Sequence, residues 1–262
     1  MTFSRDLQKA REAFRKGDVA ASAAAHAREA AEKHQPEHGQ YIKSAVYGGL
    51  DGIITTFAVV AGVAGAQLSA GIVLILGFAN LIADGLSMAI GDYLSTKAEQ
   101  EYQRAERQRE RWEVEHYPEG EKREMVELYT AKGIPEEDAR TVTEILARHK
   151  EAWVEVMLVE ELGIIPSDES PWKHGVVTFL SFGLFGLVPL VAYVLAALTP
   201  LPLASFAMAS LLTAGTLFAV GAVKTRITGR NWFQSGLEML LVGGVAATAA
   251  FVVGRLLSGL AQ

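Results

Sequence analysis

At 262 residues, with a net charge of −6 and no cysteine, the chain offers no electrostatic footprint for nucleic acid. It also cannot build disulfides, thiolate metal sites or a cysteine nucleophile. Half of its residues are hydrophobic and 21% are charged, and the two classes are segregated along the chain, which excludes a single ordinary soluble globule.

Residues 1–40 are rich in Ala, Glu, Arg and Lys and read as a helical extension. Two short helices are expected, broken near Gly17-Asp18, the first with an apolar stripe at Leu7, Ala10 and Phe14. The run from Gln35 to Gly39 reads as a linker. The first apolar run begins near Ser44, too far from Met1 for a secretory signal, so the N-terminus is expected to be retained.

Apolar stretches then run from about Ser44 to Ala66 and, after a tight break at Gly65-Ala66-Gln67, from Leu68 to Tyr93. Three more follow, at about Val176–Leu198, Leu203–Val223 and Phe233–Leu257, with Pro200 and Pro202 in one turn and Pro189 predicting a kink. About 20 apolar residues cross ~30 Å of hydrocarbon, so five membrane spans are expected.

Residues 94–173, between the second and third spans, hold 20 of the 30 acidic residues and 12 of the 24 basic ones, which marks a soluble helical insertion. Its first helix should run straight out of the second span, from Thr96 to His116, and end at Tyr117-Pro118-Glu119-Gly120. The next is expected over Glu121–Lys132, a third opens at Pro135, and a fourth covers about Lys150–Leu162. With five spans, 23 of the 24 basic residues fall on one side, Arg255 being the exception. The positive-inside rule then makes the insertion and the N-terminus cytoplasmic.

Acids inside a membrane are costly and usually face a partner or a pathway. Asp51 lies two turns into the first span, within Tyr47-Gly48-Gly49-Leu50-Asp51-Gly52. Asn80, Asp84 and Met88 recur every four residues on one face of the second span, with Asp92 beyond them. Met88 and Asp51 fall at similar depth, and a carboxylate with a thioether suits a borderline transition metal such as Fe²⁺. Packing is the competing role for Met88, a structural hydrogen bond for Asp84 and Asp92, and the helix dipole for Glu238.

In the insertion Glu99, Glu106, Glu110 and Glu113 trace one helical stripe. Glu121 and Glu124 lie one turn apart on the next helix, and Met157, Glu160 and Glu161 are neighbours on the fourth. Three helices could therefore aim carboxylates and one thioether into a shared space that a divalent cation would neutralise. A solvated face, with the interleaved arginines pairing along the helix, is the competing reading. Glu113 and His116 form a single Glu-x-x-His, half of what a ferritin-like di-iron bundle uses. The other histidines show no ligand spacing.

The segments Val46-Tyr47-Gly48-Gly49-Leu50-Asp51-Gly52-Ile53-Ile54-Thr55-Thr56-Phe57 and Ala83-Asp84-Gly85-Leu86-Ser87-Met88-Ala89-Ile90-Gly91-Asp92-Tyr93-Leu94-Ser95 resemble the vacuolar iron transporter family. The resemblance covers about residues 40–260; residues 1–40 match no part of that pattern, and the Ala- and Arg-rich style leans bacterial. It implies an all-α homodimer in the lipid bilayer with five transmembrane helices per subunit. The chain would divide into the extension (1–40), helices 1–2 (41–95), a cytoplasmic helical metal-binding domain (96–173) and helices 3–5 (174–262). It further implies a non-enzymatic transporter of Fe²⁺, and often Mn²⁺, coupled to proton antiport. Asp51 and Met88 would lie in the membrane path, with Glu110, Glu113, Glu121, Glu124, Met157 and Glu161 as cytoplasmic ligands. A membrane-anchored ferritin-like iron-binding or iron-oxidising protein is the alternative. The plasma or inner membrane is expected for a bacterial source and the vacuolar membrane for a eukaryotic one.

Overall fold

The computed structural model describes residues 7–27, 41–165, 169–198, 205–228 and 231–260. Every regular element among them is helical. In the extension, α1 (Leu7–Lys16) and α2 (Val19–Ala27) are separated at Gly17, whose φ of 63° takes the left-handed conformation that only glycine adopts freely. The Asp18 side chain then accepts from the Ala21 N–H at 2.9 Å. The expected stripe is not a buried one at Phe14, which is exposed, while Ala13 is buried. The linker at 35–39 and the turn holding Pro200 and Pro202 lie outside the described residues.

Two long helices follow, α3 (Ile42–Gly65) and α4 (Ala70–His116). At 47 residues and 1.5 Å per residue, α4 is about 70 Å long, far more than a bilayer needs, and its second half is the charged one. The insertion continues with α5 (Pro118–Ala131), α6 (Glu136–Leu146) and α7 (Lys150–Glu160). Here the sequence expectation needs correcting. Pro118 does not sit in a four-residue turn but opens α5 at its first position, where its missing N–H costs nothing, so Tyr117 alone makes the corner.

The chain then forms α8 (Pro171–Gly186) and α9 (Val188–Leu198), followed by α10 (Ser205–Thr228) and α11 (Trp232–Leu257). Among the described residues four helices are long and apolar enough to cross a membrane: α3, α4, α10 and α11. The pair α8 and α9 satisfies the same test only jointly and bends by 50° at its break, beside Pro189, so the count is four, or five if the pair is one broken span.

The membrane helices pack through small residues. A Cβ on Gly48 would lie 2.6 Å from the Thr178 carbonyl oxygen, one on Gly175 would lie 2.7 Å from that of Ala89, and one on Gly52 would overlap the Phe182 backbone. α8 is thereby wedged against both α3 and α4. The Ser181 hydroxyl ties it further to the Ala45 carbonyl at 2.5 Å. Phe57, Val60, Val73, Leu81, Phe182 and Leu190 fill the apolar cluster beneath.

The insertion has its own core of Val114, Met125, Trp153, Val154, Met157, Leu158 and Ile164. Arg107–Glu155 and Arg111–Glu151 ion pairs brace α4 against α7.

Candidate metal site

Glu110 precedes Val114 by one helical turn, so the face of α4 that packs on the insertion core also carries Glu110 inward, to 1% exposure. The one-residue corner at Tyr117 folds α5 back, and Glu121, one turn before the buried Met125, is 4% exposed. Glu161 caps the C-terminus of α7, one turn after the fully buried Met157. One carboxylate oxygen from each of Glu110, Glu121 and Glu161 lies within 4.8 Å of the others. Two metal–oxygen bonds of ~2.1–2.5 Å laid end to end span ~4.2–5.0 Å, so these oxygens are spaced to share one cation.

The electrostatics match that spacing. The Oε2 atoms of Glu110 and Glu121 are buried without a hydrogen-bond partner. Burial, and then the charges of Glu161 and Glu113, push the Glu110 carboxyl up to about 7, with Arg109 pulling the other way. Burial, and then Glu110 and Glu124, push Glu121 up to about 7 as well. Glu161 is itself exposed, and the partial desolvation it retains, followed by the Glu124 charge, raises its carboxyl. Arg109 supplies partial compensation, 2.8 Å from Glu106, 3.5 Å from Glu110 and 3.9 Å from Glu113. One half-exposed guanidinium shared among three carboxylates cannot neutralise the group. A divalent cation would remove both the repulsion and the unmet acceptors.

The predicted residues divide accordingly. Glu113 and Glu124 stand within electrostatic reach of the buried pair on its more open side. Glu160 turns away to pair with Lys132, and Glu99 is exposed, so the shared space is narrower than the glutamate stripes suggest. His116 is exposed, donates from Nδ1 to the Trp112 carbonyl (2.8 Å) and stacks on the Trp112 ring, so the Glu-x-x-His does not bring its histidine to the group.

In the spans Asp51 is half-buried and close enough to Asp84 for their charges to interact, which puts it beside the α4 face that carries Met88. Asn80 and Thr55 meet at 3.5 Å, and the Thr55 hydroxyl donates to the Asp51 carbonyl at 2.7 Å. Met88 is half-buried and packs on the membrane apolar cluster. Asp92 accepts from the Thr178 hydroxyl at 2.5 Å, a structural partnership between α4 and α8. Glu238 is exposed near the start of α11, whose cap is Asn231.

One buried group escaped the sequence reading. His174, grouped above with the scattered histidines, is 5% exposed and held between Ser44 and Glu169. Ser44 stands 130 positions away in the chain, and no local spacing could signal that pairing.

Apolar helices long enough to cross a bilayer, one of them prolonged into a helical insertion with a cation-spaced carboxylate group, define a multi-pass membrane protein with a candidate ion site outside its spans. Residues 42–255 match the VIT family, and the chain belongs to that family. It is 44% identical to a vacuolar iron transporter of Toxoplasma gondii, over 97% of this chain and 89% of that protein. It is 37% identical to the vacuolar iron transporter of Plasmodium falciparum, over 97% of each. Identity to vacuolar iron transporter 1 of Arabidopsis thaliana is 30%, over 85% of this chain and 89% of that protein. These relatives are eukaryotic and lend no support to the bacterial lean of the composition. A match over 97% of the chain must include most of residues 1–40. Those two relatives thus align across most of the extension, while the family match itself begins at residue 42.

Proposed function

We propose that the protein is a homodimeric Fe²⁺ transporter, accepting Mn²⁺ as well, that exports metal from the cytoplasm in exchange for protons. It is a transporter and not an enzyme. In this reading α8 and α9 form one broken span, giving five, and the insertion faces the cytoplasm, as 23 of the 24 basic residues favour. Glu110, Glu121 and Glu161 capture the ion, Glu113 and Glu124 raise its local concentration, and Met157 supplies a soft ligand beneath them. Asp51 and Met88, from both subunits, then replace hydration inside the membrane.

The observation that carries the reading is the pair of buried carboxylates whose Oε2 atoms have no partner. Such a pair is costly to keep ionised unless a cation satisfies it, and without one it holds protons instead. Family membership and the relatives' transporter names support metal movement as the purpose. The ferritin-like alternative needs His116 at the carboxylate group, and its outward position disfavours it.

The test is flux in liposomes holding the purified full-length chain, with a pH gradient imposed and Fe²⁺ or Mn²⁺ supplied on the insertion side. Metal uptake that follows the proton gradient is expected. Silence toward both ions in the wild-type protein would defeat the proposal.

A further inference from the structure

His174 lies off the metal route, yet its surroundings are built for a proton. Its Nδ1 is 2.7 Å from the Ser44 hydroxyl on α3, and its Nε2 is 2.9 Å from the Glu169 carboxylate, five residues earlier in the segment leading into α8. The Glu169 carbonyl accepts from Gln100 on α4, so three membrane helices meet at this node. The Tyr41 ring packs on the imidazole at 4.8 Å, and Lys173 stands 5.9 Å from the centre of that ring. On α4 the titratable groups facing α8 here are Asp92 and Tyr93, while the Lys97–Glu101 pair is exposed, as is Lys43 on α3.

A hydroxyl both gives and takes a proton, a carboxylate takes one, and an imidazole does either at each nitrogen. The chain Ser44–His174–Glu169 is thus an unbroken donor–acceptor line across the insertion-side ends of α3 and α8. A proton arriving at the Ser44 oxygen moves the hydroxyl proton onto Nδ1 while the Nε2 proton passes to Glu169, and charge and atoms balance. Two further acids lie deeper along these helices. One turn further along α8, Thr178 donates to Asp92, and two turns further along α3, on the same face as Ser44, lies Asp51. These rungs occupy the seam where Gly48 and Gly175 bring the three backbones together.

We infer that Glu169, His174 and Ser44 carry the counter-transported proton at the insertion side, by a route inside each subunit that is separate from the metal ligands. This rests on the proton-exchange reading above. The experiment reads protons moved per metal ion in liposomes containing the full chain, with Fe²⁺ supplied on the insertion side and a pH-sensitive dye. His174→Gln keeps a hydrogen-bonding amide that cannot relay a proton. It should lower the proton-to-metal ratio about tenfold or more and flatten the pH dependence of metal flux, with the apparent KM for Fe²⁺ kept within about twofold. An unchanged ratio in this variant overturns the inference. Metal flux without proton movement in the wild type overturns the exchange reading instead, and this inference with it. If His174→Gln does not fold, Ser44→Ala serves: the ratio should fall and Ser44→Thr should restore it, and an unchanged ratio in Ser44→Ala overturns the inference.

Discussion

The membrane helices and the insertion solve opposite problems with charge. In the spans polar groups are few, and several tie one helix to another: Thr178 serves Asp92, and Ser181 serves the Ala45 carbonyl. Helices there approach through Gly48, Gly52 and Gly175, where any side chain would strike backbone. In the insertion charge is abundant and several ion pairs bridge its helices, as in Arg107–Glu155, Arg111–Glu151 and Lys132–Glu160. Against that background two carboxylates stand apart, Glu110 and Glu121, buried beside each other with acceptors unmet. In a membrane an acid is conspicuous because it is there at all; in a charged domain it is conspicuous only when it lacks a partner.

That contrast sets the order of expected effects. Asp51→Ala should have the largest, reducing Fe²⁺ flux in liposomes to the protein-free background while metal binding to the insertion persists. Loss of binding together with flux would show that the two regions do not act separately. Next comes Glu121→Gln, which removes one of three converging ligands. Calorimetric titration should show the affinity for Fe²⁺ or Mn²⁺ weakened by at least about tenfold, whereas wild-type affinity would make the cluster a merely acidic surface.

A smaller effect is the pH dependence of stability without metal. Glu110 and Glu121 have folded-state values raised to about 7 from an ordinary 4.5. The folded form therefore holds protons that the unfolded form has released. Their contribution to stability is fully present below about 4.5 and is lost as the pH rises through about 7. Glu121→Gln should thus raise the thermal midpoint of the metal-free protein over wild type at pH 8 and change it little at pH 5. Added metal should raise the wild-type midpoint at pH 8 and release protons near pH 6. The smallest effect belongs to Glu160→Gln. Glu160 neighbours Glu161 in sequence but pairs with Lys132, so metal affinity should stay within about twofold of wild type, as for a surface ion pair.

The sequence was most informative where physics is one-dimensional. The apolar runs located α3, α4, α10 and α11 to within a few residues, because a bilayer imposes length and composition on each helix independently. The break at Gly17 and the stop at Gly133 were legible for a similar reason, since both glycines take positive φ. The break between α8 and α9 was anticipated from Pro189, but not that each piece alone falls short of a span. Within the insertion all three glutamates of the compact group were among the expected ligands. Which of their neighbours would join them was not legible: Glu110 and Glu106 differ by one turn in sequence, and only the packing of Val114 in one core with Trp153 and Met157 of α7 decides which is swallowed. His174 was hidden altogether, because its partners come from α3 and from the approach to α8.

The most direct measurement is anomalous diffraction from crystals of the full chain grown with Mn²⁺ or, without oxygen, with Fe²⁺. A peak is expected within ~2.1–2.5 Å of carboxylate oxygens from Glu110, Glu121 and Glu161, and it should disappear in Glu121→Gln. Peaks confined to exposed carboxylates such as Glu99 or Glu115, with the Glu110–Glu121 pair holding only its own protons, would contradict it.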